Sequence, residues 1–531
     1  MTPVTLRLRD ATVRFGDQTA LDGFTGTFAP GTVTALVGGD GAGKTTLLRL
    51  LAGRLALQGG TGDGLPVDRL NIGYQPADAG VWRNLSVAEN IEFVAHTYGL
   101  SAEETRTRSE ELLRRAGLDQ VTTRLAGRLS GGMRRKLGVI LSTLHRPGLV
   151  LLDEPTTGVD PLSRAELWNL IAGAAADGAT VVFATTYLDE AERDNALFLL
   201  GGGSLLAAGT PDEVMAQSPG AIWQSSVDNP AARIELAAPH AWRRGDMVYR
   251  WEPSTSAGRP APGFEPAPGD LENTSIALLL QQNDEQGTAV ELPMRGVEAR
   301  RKDHDTAHGA LVQADHVTRR FGAFTALDGV SLTVRPGEVV GLLGGNGTGK
   351  TTLMHILLGL DPPTAGTATL FGERPSLDTR RHIGYVAQGL GLYPSLSAIE
   401  NVEFAASVHG VTVHGEMGEF ARSFGRAPVS ALPLGAQRML AYLTASVHQP
   451  DLLVLDEPTS GMDALARARL WRDLRTLADN GAGVLVTTHY MQEAAQCDRL
   501  VMLTAGKVTA AGTVVQITGA HTSLIVTTYH W

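Results

Sequence analysis

Short, wholly apolar runs alternate along the chain with longer segments in which apolar residues recur at helical spacing. The runs Val33–Val37 and Val339–Leu343 have the length and composition of buried strands. Segments 87–98 and 101–116 show the spacing of amphipathic helices. Further apolar runs precede two Asp-Glu pairs. Strands that alternate with helices in this way predict an α/β fold with a largely parallel sheet.

The same pattern occurs twice in the chain. Residues 13–46 read VRFGDQTALDGFTGTFAPGTVTALVGGDGAGKTT, and residues 319–352 read RRFGAFTALDGVSLTVRPGEVVGLLGGNGTGKTT. Later, LVLLDEPTTGVD at 149–160 matches LLVLDEPTSGMD at 452–463. A repeat this long indicates two copies of a whole domain, because solenoids repeat at a few tens of residues.

Composition between the copies suggests where the domains end. Residues 1–220 are predicted to form the first domain, and the alternating stretch within 221–252 predicts a small β-rich tail. Five prolines within 253–270 and a charged stretch after them predict a linker over 253–310. Residues 311–531 form the second predicted domain.

Charge and cysteine content narrow the function classes. The net charge is −11, which argues against a nucleic-acid binder because those usually carry a basic patch. Cys497 is the one cysteine, so neither an internal disulfide nor a cysteine-based metal site is expected. No run of about 18 apolar residues predicts a membrane span, and the first residues lack the apolar core of a signal peptide. A cytoplasmic location is therefore expected.

Two glycine-rich loops fit the pattern G-x-x-x-x-G-K-[ST], each directly after an apolar strand. Glycines let backbone N–H groups surround phosphate oxygens, the lysine reaches the outer phosphates and the threonine hydroxyl binds Mg²⁺. ATP and Mg²⁺ are the cofactors that this pattern predicts. The candidate nucleotide-binding residues are Gly38, Gly41, Gly43, Lys44, Thr45 and Thr46 in the first loop, and Gly344, Asn346, Gly347, Gly349, Lys350, Thr351 and Thr352 in the second.

An Asp-Glu pair ends a later apolar strand in each copy. Asp153 and Asp456 are predicted to hold Mg²⁺, since carboxylates at this position coordinate the ion through water. Glu154 and Glu457 are predicted to polarise the attacking water as general bases.

Further motifs resemble the ATPase domain of ABC transporters. They are Leu129-Ser130-Gly131-Gly132-Met133, Gly158-Val159-Asp160 and Gly461-Met462-Asp463, taken with the loops and acidic pairs. The resemblance covers about 1–215 and 311–515. It implies two P-loop NTPase domains of the ABC ATPase type, each with a β-rich N-terminal part and a helical signature subdomain.

The resemblance also assigns roles to single residues. In this family two domains close head to tail, so that each ATP lies between one P-loop and the opposite signature. The implied roles are adenine stacking for Phe15 and Phe321, Mg²⁺ sensing and contact with membrane subunits for Gln75 and Gln388, coupling of the two sites for Asp160 and Asp463, contact with the terminal phosphate for His489, and closure over ATP by Ser130, Gly131 and Gly132.

Departures from the family pattern fall on one of the two sites. The second signature reads Leu432-Pro433-Leu434-Gly435-Ala436, and Thr186 replaces the switch histidine of the first copy. Proline lacks an N–H, and leucine places bulk where bare backbone should meet phosphate. We therefore expect a degenerate site at Lys44 that holds ATP and hydrolyses it slowly if at all. A complete site is expected at Lys350, Gln388, Glu457 and His489.

Similarity to one branch of the family indicates export. The segments NLSVAENIEF, YLDEAE and CDRLVML resemble those of drug-resistance and antibiotic-export ATPases, above all the tandem subunits of multidrug exporters. Such a subunit would lie peripherally on the inner face of the cell membrane. It would bind separate permeases, expected as two ABC-2-type subunits, through the surface near Trp82, Leu85, Leu392 and Tyr393.

Two alternatives stay open from the sequence. A twin ATPase of a sugar importer also fuses two copies, but the defect pattern and the YLDEAE segment fit it less well. A twin-ABC factor acting on the ribosome would lack a membrane partner. Its linker is usually a long charged helical hairpin and its signatures are typically intact, whereas this linker is Pro-rich and one signature is altered.

Overall fold

The structure is a computed structural model that describes residues 2–16, 18–192, 194–236, 238–253, 262–286, 309–345, 347–413, 415–432, 434–488 and 490–518. The elements of the first copy and the segment after it, in chain order, are β1 Leu6–Phe15, β2 Gln18–Phe28, β3 Val33–Val37, α1 Lys44–Leu51, β4 Gly59–Asp63, β5 Ile72–Gln75, α2 Val87–Thr97, α3 Ala102–Arg115, α4 Gly131–Thr143, β6 Leu149–Asp153, α5 Pro161–Ala176, β7 Thr180–Thr185, α6 Leu188–Ala191, β8 Ala196–Gly201, β9 Ser204–Gly209, α7 Pro211–Met215, β10 Ala221–Ser226, α8 Pro230–Glu235, β11 Ala241–Arg244, β12 Met247–Glu252, β13 Glu265–Pro266 and α9 Leu271–Gln286.

The second copy repeats this order. Its elements are β14 Val312–Phe321, β15 Phe324–Val334, β16 Val339–Leu343, α10 Lys350–Leu357, β17 Ala365–Leu370, α11 Leu377–Arg380, β18 Ile383–Val386, α12 Ala398–Val408, α13 Gly415–Ser423, α14 Leu434–Ser446, β19 Leu452–Asp456, α15 Ala464–Asp479, β20 Gly483–Thr488, α16 Met491–Ala494, β21 Arg499–Thr504, β22 Lys507–Gly512 and α17 Val514–Thr518. Short 3₁₀ turns cover Arg69–Asn71, Asp119–Val121, Ala126–Arg128 and Val429–Ala431.

A parallel core sheet lies at the centre of each copy. In the first copy the nine strands run in the order β4-β1-β2-β9-β8-β3-β7-β6-β5, and the pairs β3/β7, β3/β8, β5/β6 and β6/β7 are parallel. The second copy has a six-stranded sheet, β18-β19-β20-β16-β21-β22, beside a three-stranded antiparallel sheet, β15-β14-β17. The predicted α/β class is confirmed.

Strand composition explains the layering. Every residue of β3 and of β6 is buried, as expected for strands covered on both faces. Alternate residues of β6 face opposite layers: Leu149 and Leu151 pack with α1, whereas Val150 and Leu152 pack with the helical subdomain and α5. The carboxyl ends of the parallel strands therefore present their loops at one edge, where ligands bind in such sheets.

The helical subdomains start at strong local signals. Ser86 Oγ accepts a hydrogen bond from Glu89 N while Ser86 N donates one to the Glu89 carboxylate, and Ser397 and Glu400 form the same pair of bonds at α12. Such capping boxes satisfy backbone donors that the first helical turn leaves free. Helices α2 and α3 lie where the amphipathic spacing predicts them.

The predicted linker over 253–310 is wrong for part of its length. Residues 271–286 form helix α9, whose apolar side chains, including Ile276 and Leu279, are buried. The strands after residue 220 form a four-stranded sheet in the order β11-β12-β10-β13. We call residues 221–253 and 262–286 the added domain. Residues 254–261 and 287–308 lie outside the described residues.

The added domain contacts both copies. Gln282 Nε2 donates to Gly201 O of the first copy at 2.9 Å. Gly245 N donates to Gln496 Oε1 of the second copy at 3.0 Å, and helix α9 packs against α15. Among the described residues, none of the helices combines the length and the hydropathy needed to span a bilayer.

Candidate functional site

The two glycine-rich loops have the backbone that their sequence predicts. Gly43 has φ 100° and Gly349 has φ 104°, and each precedes a helix that begins at the following lysine. Residues with a β-carbon rarely adopt this left-handed region, so glycine is required there. Both loops therefore place backbone N–H groups and a helix N-terminus where an anion can bind. Asn346 lies outside the described residues.

The lysines of both loops fold over their own backbone. Lys44 Nζ donates to Gly38 O at 2.6 Å and to Gly39 O at 2.9 Å. Lys350 Nζ donates to Gly344 O at 2.6 Å and to Gly345 O at 3.1 Å. Burial lowers the pKa of Lys350, and the neighbouring carboxylates of Glu457 and Asp456 oppose this shift. Each lysine is thus held at the mouth of its loop.

Hydroxyl and carboxylate groups of the kind that bind Mg²⁺ meet beside each loop. Thr45 Oγ1 donates to Asp153 Oδ2 at 3.0 Å, and Thr351 Oγ1 donates to Asp456 Oδ2 at 3.4 Å. The described residues contain no cluster of three or more His, Cys, Asp or Glu side chains suited to a metal. A threonine with one aspartate fits Mg²⁺, which keeps waters and takes its other ligands from phosphates.

The glutamates after these aspartates have a strained backbone. Glu154 has φ 49° and Glu457 has φ 50°, a region that costs non-glycine residues of the order of 1–3 kcal/mol and is typical of functional sites. Glu457 Oε1 lies 3.8 Å from Lys350 Nζ, and Gln388 Nε2 donates to Glu457 Oε2 at 3.3 Å. The structure thus brings together the lysine, glutamine and glutamate predicted for the second site.

The copies meet head to tail across these loops. A β-carbon placed on Gly39 would lie 3.0 Å from Asp463 Cβ of the second copy, and one on Gly345 would lie 3.0 Å from Asp160 Cβ of the first. Asp40 N donates to Gly461 O at 2.9 Å. Each P-loop is therefore closed by the loop that follows the acidic pair of the other copy.

A cavity of about 320 Å³ lies between the copies. It brings Gly131 of the first signature opposite Gln388 and Glu457 of the second copy. The remaining lining residues are Asp78, Ala79, Arg83, Arg134, Arg135, Thr157, Gly158 and Ser460.

Comparisons with known proteins agree with this geometry. The family model described as "ABC transporter" matches residues 21–157 and 327–460. The chain belongs to the ABC transporter family. It is an ATPase, and its two family domains bind ATP.

Several known proteins are similar to this chain over all or part of its length. A protein of Escherichia coli named "Probable multidrug ABC transporter ATP-binding protein" is 34% identical, covering 92% of this chain and 89% of the relative. A "Nod factor export ATP-binding protein I" of Ralstonia nicotianae is 38% identical over 38% of this chain and 67% of its own length. A solved structure of the ATP binding subunit of an ABC transporter is 26% identical, with a TM-score of 0.39, over 41% of this chain and 98% of its own.

Gln75 does not occupy the place in this ABC ATPase that the sequence analysis gave it. It is the last residue of β5, paired with Leu152, and its counterpart in the second copy is Val386, paired with Leu455. The residue matching Gln388 is Ala77. The alignment of GYQPA with GYVAQ within the repeat contains the signal that would have shown this.

The side chain of Gln75 also points away from the metal-binding pair. It is 1% exposed and faces Gly138 of α4, and neither amide atom has a hydrogen-bond partner among the described residues. Asp153, by contrast, bonds Thr45 of α1 on the opposite face of the sheet. The assignment of Gln75 to Mg²⁺ is therefore corrected, and the first copy lacks the glutamine as well as the histidine.

The structure describes some of the other predicted site residues and not others. Ser130 caps α4 and accepts from Met133 N at 3.2 Å, whereas α14 begins at Leu434, which is 38% exposed. Thr186 is buried and its hydroxyl has no hydrogen-bond partner among the described residues. His489 and Pro433 lie outside them. Phe15 and Phe321 are about half exposed, at 51% and 50%, and their role in adenine stacking stays a prediction.

A stack of four side chains between the copies was not predicted from the sequence. Tyr187 and Tyr490 follow the two switch positions, and their rings stack at 3.9 Å between centroids. Arg467 lies over Tyr187 at 5.8 Å and Arg164 over Tyr490 at 5.3 Å. The stack joins the segments next to both nucleotide sites.

Truncation of a side chain in this stack is expected to weaken closure of the two copies on each other. Ring stacking contributes about 0.5–1.5 kcal/mol beyond burial, and each cation–π contact adds roughly 0.5–2 kcal/mol. Tyr187→Leu should therefore lower both the unfolding temperature and the maximal ATPase rate. Tyr187→Phe keeps the ring and should retain most of both. Equal losses in the two variants, by thermal melts and steady-state ATPase, would show that the ring is not what matters.

Proposed function

We propose that this ABC ATPase powers an exporter of drugs or other small molecules, with one complete and one degenerate ATP site. Two of its relatives are named for multidrug transport and for Nod factor export, which supports export as the direction. The observation that carries the complete site is the cavity in which Gly131 of one copy faces Gln388 and Glu457 of the other.

In the complete site, each step of the chemistry has a residue of this chain that would perform it. Glu457 orients and polarises the attacking water, and Gln388 holds its carboxylate by the 3.3 Å hydrogen bond. Lys350 and the backbone of the first signature stabilise charge on the transferred phosphoryl group. Thr351 and Asp456 would hold Mg²⁺, which neutralises phosphate charge when bound. His489 would contact the terminal phosphate.

The first site retains the binding groups and lacks several catalytic ones. Lys44, Thr45 and Asp153 have the same hydrogen bonds as their counterparts. Ala77 and Thr186 replace the glutamine and the switch histidine, and the opposite signature carries Pro433 and Leu434. The first site would therefore hold ATP while contributing little turnover.

Paired exposed aromatic residues provide the surface for a permease. Trp82 and Phe93 lie 4.4 Å apart between ring centroids, and Tyr393 and Phe404 of the second copy lie 5.0 Å apart. All four are between 44% and 50% exposed. Two equivalent surfaces on one chain fit two permease subunits, expected to be of the ABC-2 type. The chain would then lie peripherally on the inner face of the membrane.

Loss of these aromatic pairs should uncouple the chain from its partner. In the double variant Trp82→Ala, Tyr393→Ala, co-purification with membrane proteins should fall at least about tenfold, because buried aromatic anchors carry most interface energy. ATPase of the isolated chain should change little. Ile234→Ala is the matched control, since Ile234 is 75% exposed in the added domain. Mass spectrometry of the captured proteins tests the proposed function directly: ribosomal proteins in place of a permease would contradict it.

A further inference from the structure

The two P-loops differ at one charged position. The first reads Gly38-Gly39-Asp40-Gly41, and the second has Asn346 where the first has Asp40. A carboxylate in a phosphate-binding loop is unexpected because the loop and the helix N-terminus after it favour anions as ligands.

Asp40 is fixed in place by the opposite copy. Its N–H donates to Gly461 O at 2.9 Å, and a β-carbon placed on Gly461 would overlap the Asp40 carboxylate, so the two groups lie side by side. Gly461 has φ 80°. Because the backbone bond does not depend on the side chain, a neutral side chain of the same shape can replace the acid without removing this contact.

Charged groups of the nucleotide site surround the Asp40 carboxylate. Lys44, Glu154 and Asp153 act on it from the first copy, and Arg438 from helix α14 of the second. Burial raises the pKa of Asp40 to about 6, the two acids add to this effect, and the two basic groups oppose it. The carboxylate is therefore charged at neutral pH and becomes neutral as the pH falls through 6.

We propose that Asp40 determines the nucleotide preference of the first site, where its carboxylate repels the terminal phosphate of ATP and lowers the preference for ATP over ADP. The charged groups around Asp40 include Lys44, whose counterparts reach the outer phosphates, and Glu154, which follows the Mg²⁺-binding aspartate, so the charge of Asp40 acts where ATP and ADP differ. Nucleotide binding at the first site then depends less on the ratio of ATP to ADP than binding at the second site does. This proposal rests on the proposed inequality of the two sites.

The test measures nucleotide affinity at the first site alone. Lys350→Ala disables the second P-loop, and MgATPγS and MgADP are titrated by calorimetry into this chain with and without Asp40→Asn. At pH 7.5, Asp40→Asn should lower the Kd for MgATPγS by about tenfold or more, because like charges within one partly buried site repel strongly. The Kd for MgADP should change by less than about threefold, since the charge nearest Asp40 is then missing.

A mirror variant and a pH series complete the test. Asn346→Asp in a Lys44→Ala chain should raise the Kd for MgATPγS at the second site by a similar factor. For MgATPγS at the first site, the Kd of the chain with Asp40 divided by the Kd of the Asp40→Asn chain should approach one at pH 5.5, because Asp40 is then neutral. This ratio cancels the titration of the nucleotide itself.

Three results would overturn the proposal: an unchanged affinity for MgATPγS, an equal gain for both nucleotides, or a ratio that does not vary with pH. None of them bears on turnover at the second site. Unequal sites are tested separately by the glutamate variants, so the two proposals can fail independently.

Discussion

Replacement of Glu457 by glutamine is expected to reduce steady-state ATP hydrolysis by about 10²–10⁴-fold, the usual contribution of a general base. The amide keeps the size of the side chain and its hydrogen-bonding distance from Gln388, but it cannot accept the proton of the attacking water. Binding of ATP should survive, because Lys350 and the loop glycines are untouched.

The matched variant in the first copy is Glu154→Gln. It should lower the rate by less than about tenfold, since its site already lacks the glutamine and histidine partners. Both rates are to be measured side by side, ideally with the permease present. Similar losses in the two variants would refute unequal sites and show that Thr186 and the altered signature are tolerated.

An aspartate in the first signature should be nearly as damaging. Gly131 lines the cavity opposite Glu457, at the N-terminus of the 13-residue helix α4. Gly131→Asp would place a negative charge and a side chain where the triphosphate must bind, so turnover should fall by about 10²-fold or more.

Leu434→Asp is the control, because Leu434 holds the equivalent position in the altered signature. It adds the same charge at the same helical position, and hydrolysis should fall only slightly since that site contributes little turnover. Steady-state ATPase and thermal melts on both chains separate catalysis from folding. A large loss from Leu434→Asp alone would reverse the assignment of the two sites.

Local motifs could be predicted from sequence, whereas the stack of side chains between the copies could not. The P-loop glycines and the Asp-Glu pairs are contiguous residues whose neighbours along the chain determine their geometry. The Tyr187–Tyr490 stack joins residues that are far apart in sequence. No periodicity links them, so the contact appears only once the arrangement of the copies is known.

Two further errors have identifiable causes. Helix α9 was missed because the prolines before it dominate the composition of the segment, although its apolar run 276–280 is continuous. Gln75 was misplaced because it was matched to Gln388 by residue type, whereas the repeat aligns GYQPA with GYVAQ and puts Gln75 opposite Val386. Register follows from the pairing of β5 with β6, which puts Gln75 beside Leu152. The roles of the other site residues stay predictions.

The added domain holds both copies and therefore affects how they separate and re-associate. Glu272 of α9 lies 4.0 Å from Arg467 of the second copy and 2.9 Å from Arg244 of its own sheet, while Gln282 holds the first copy. Because the added domain joins the two copies, each copy stays at a high local concentration near the other. Their re-association after opening is therefore intramolecular. Exchange of nucleotide should then proceed by a hinge-like opening whose rate is independent of protein concentration, with ATP needed to close the hinge and not to recruit a partner.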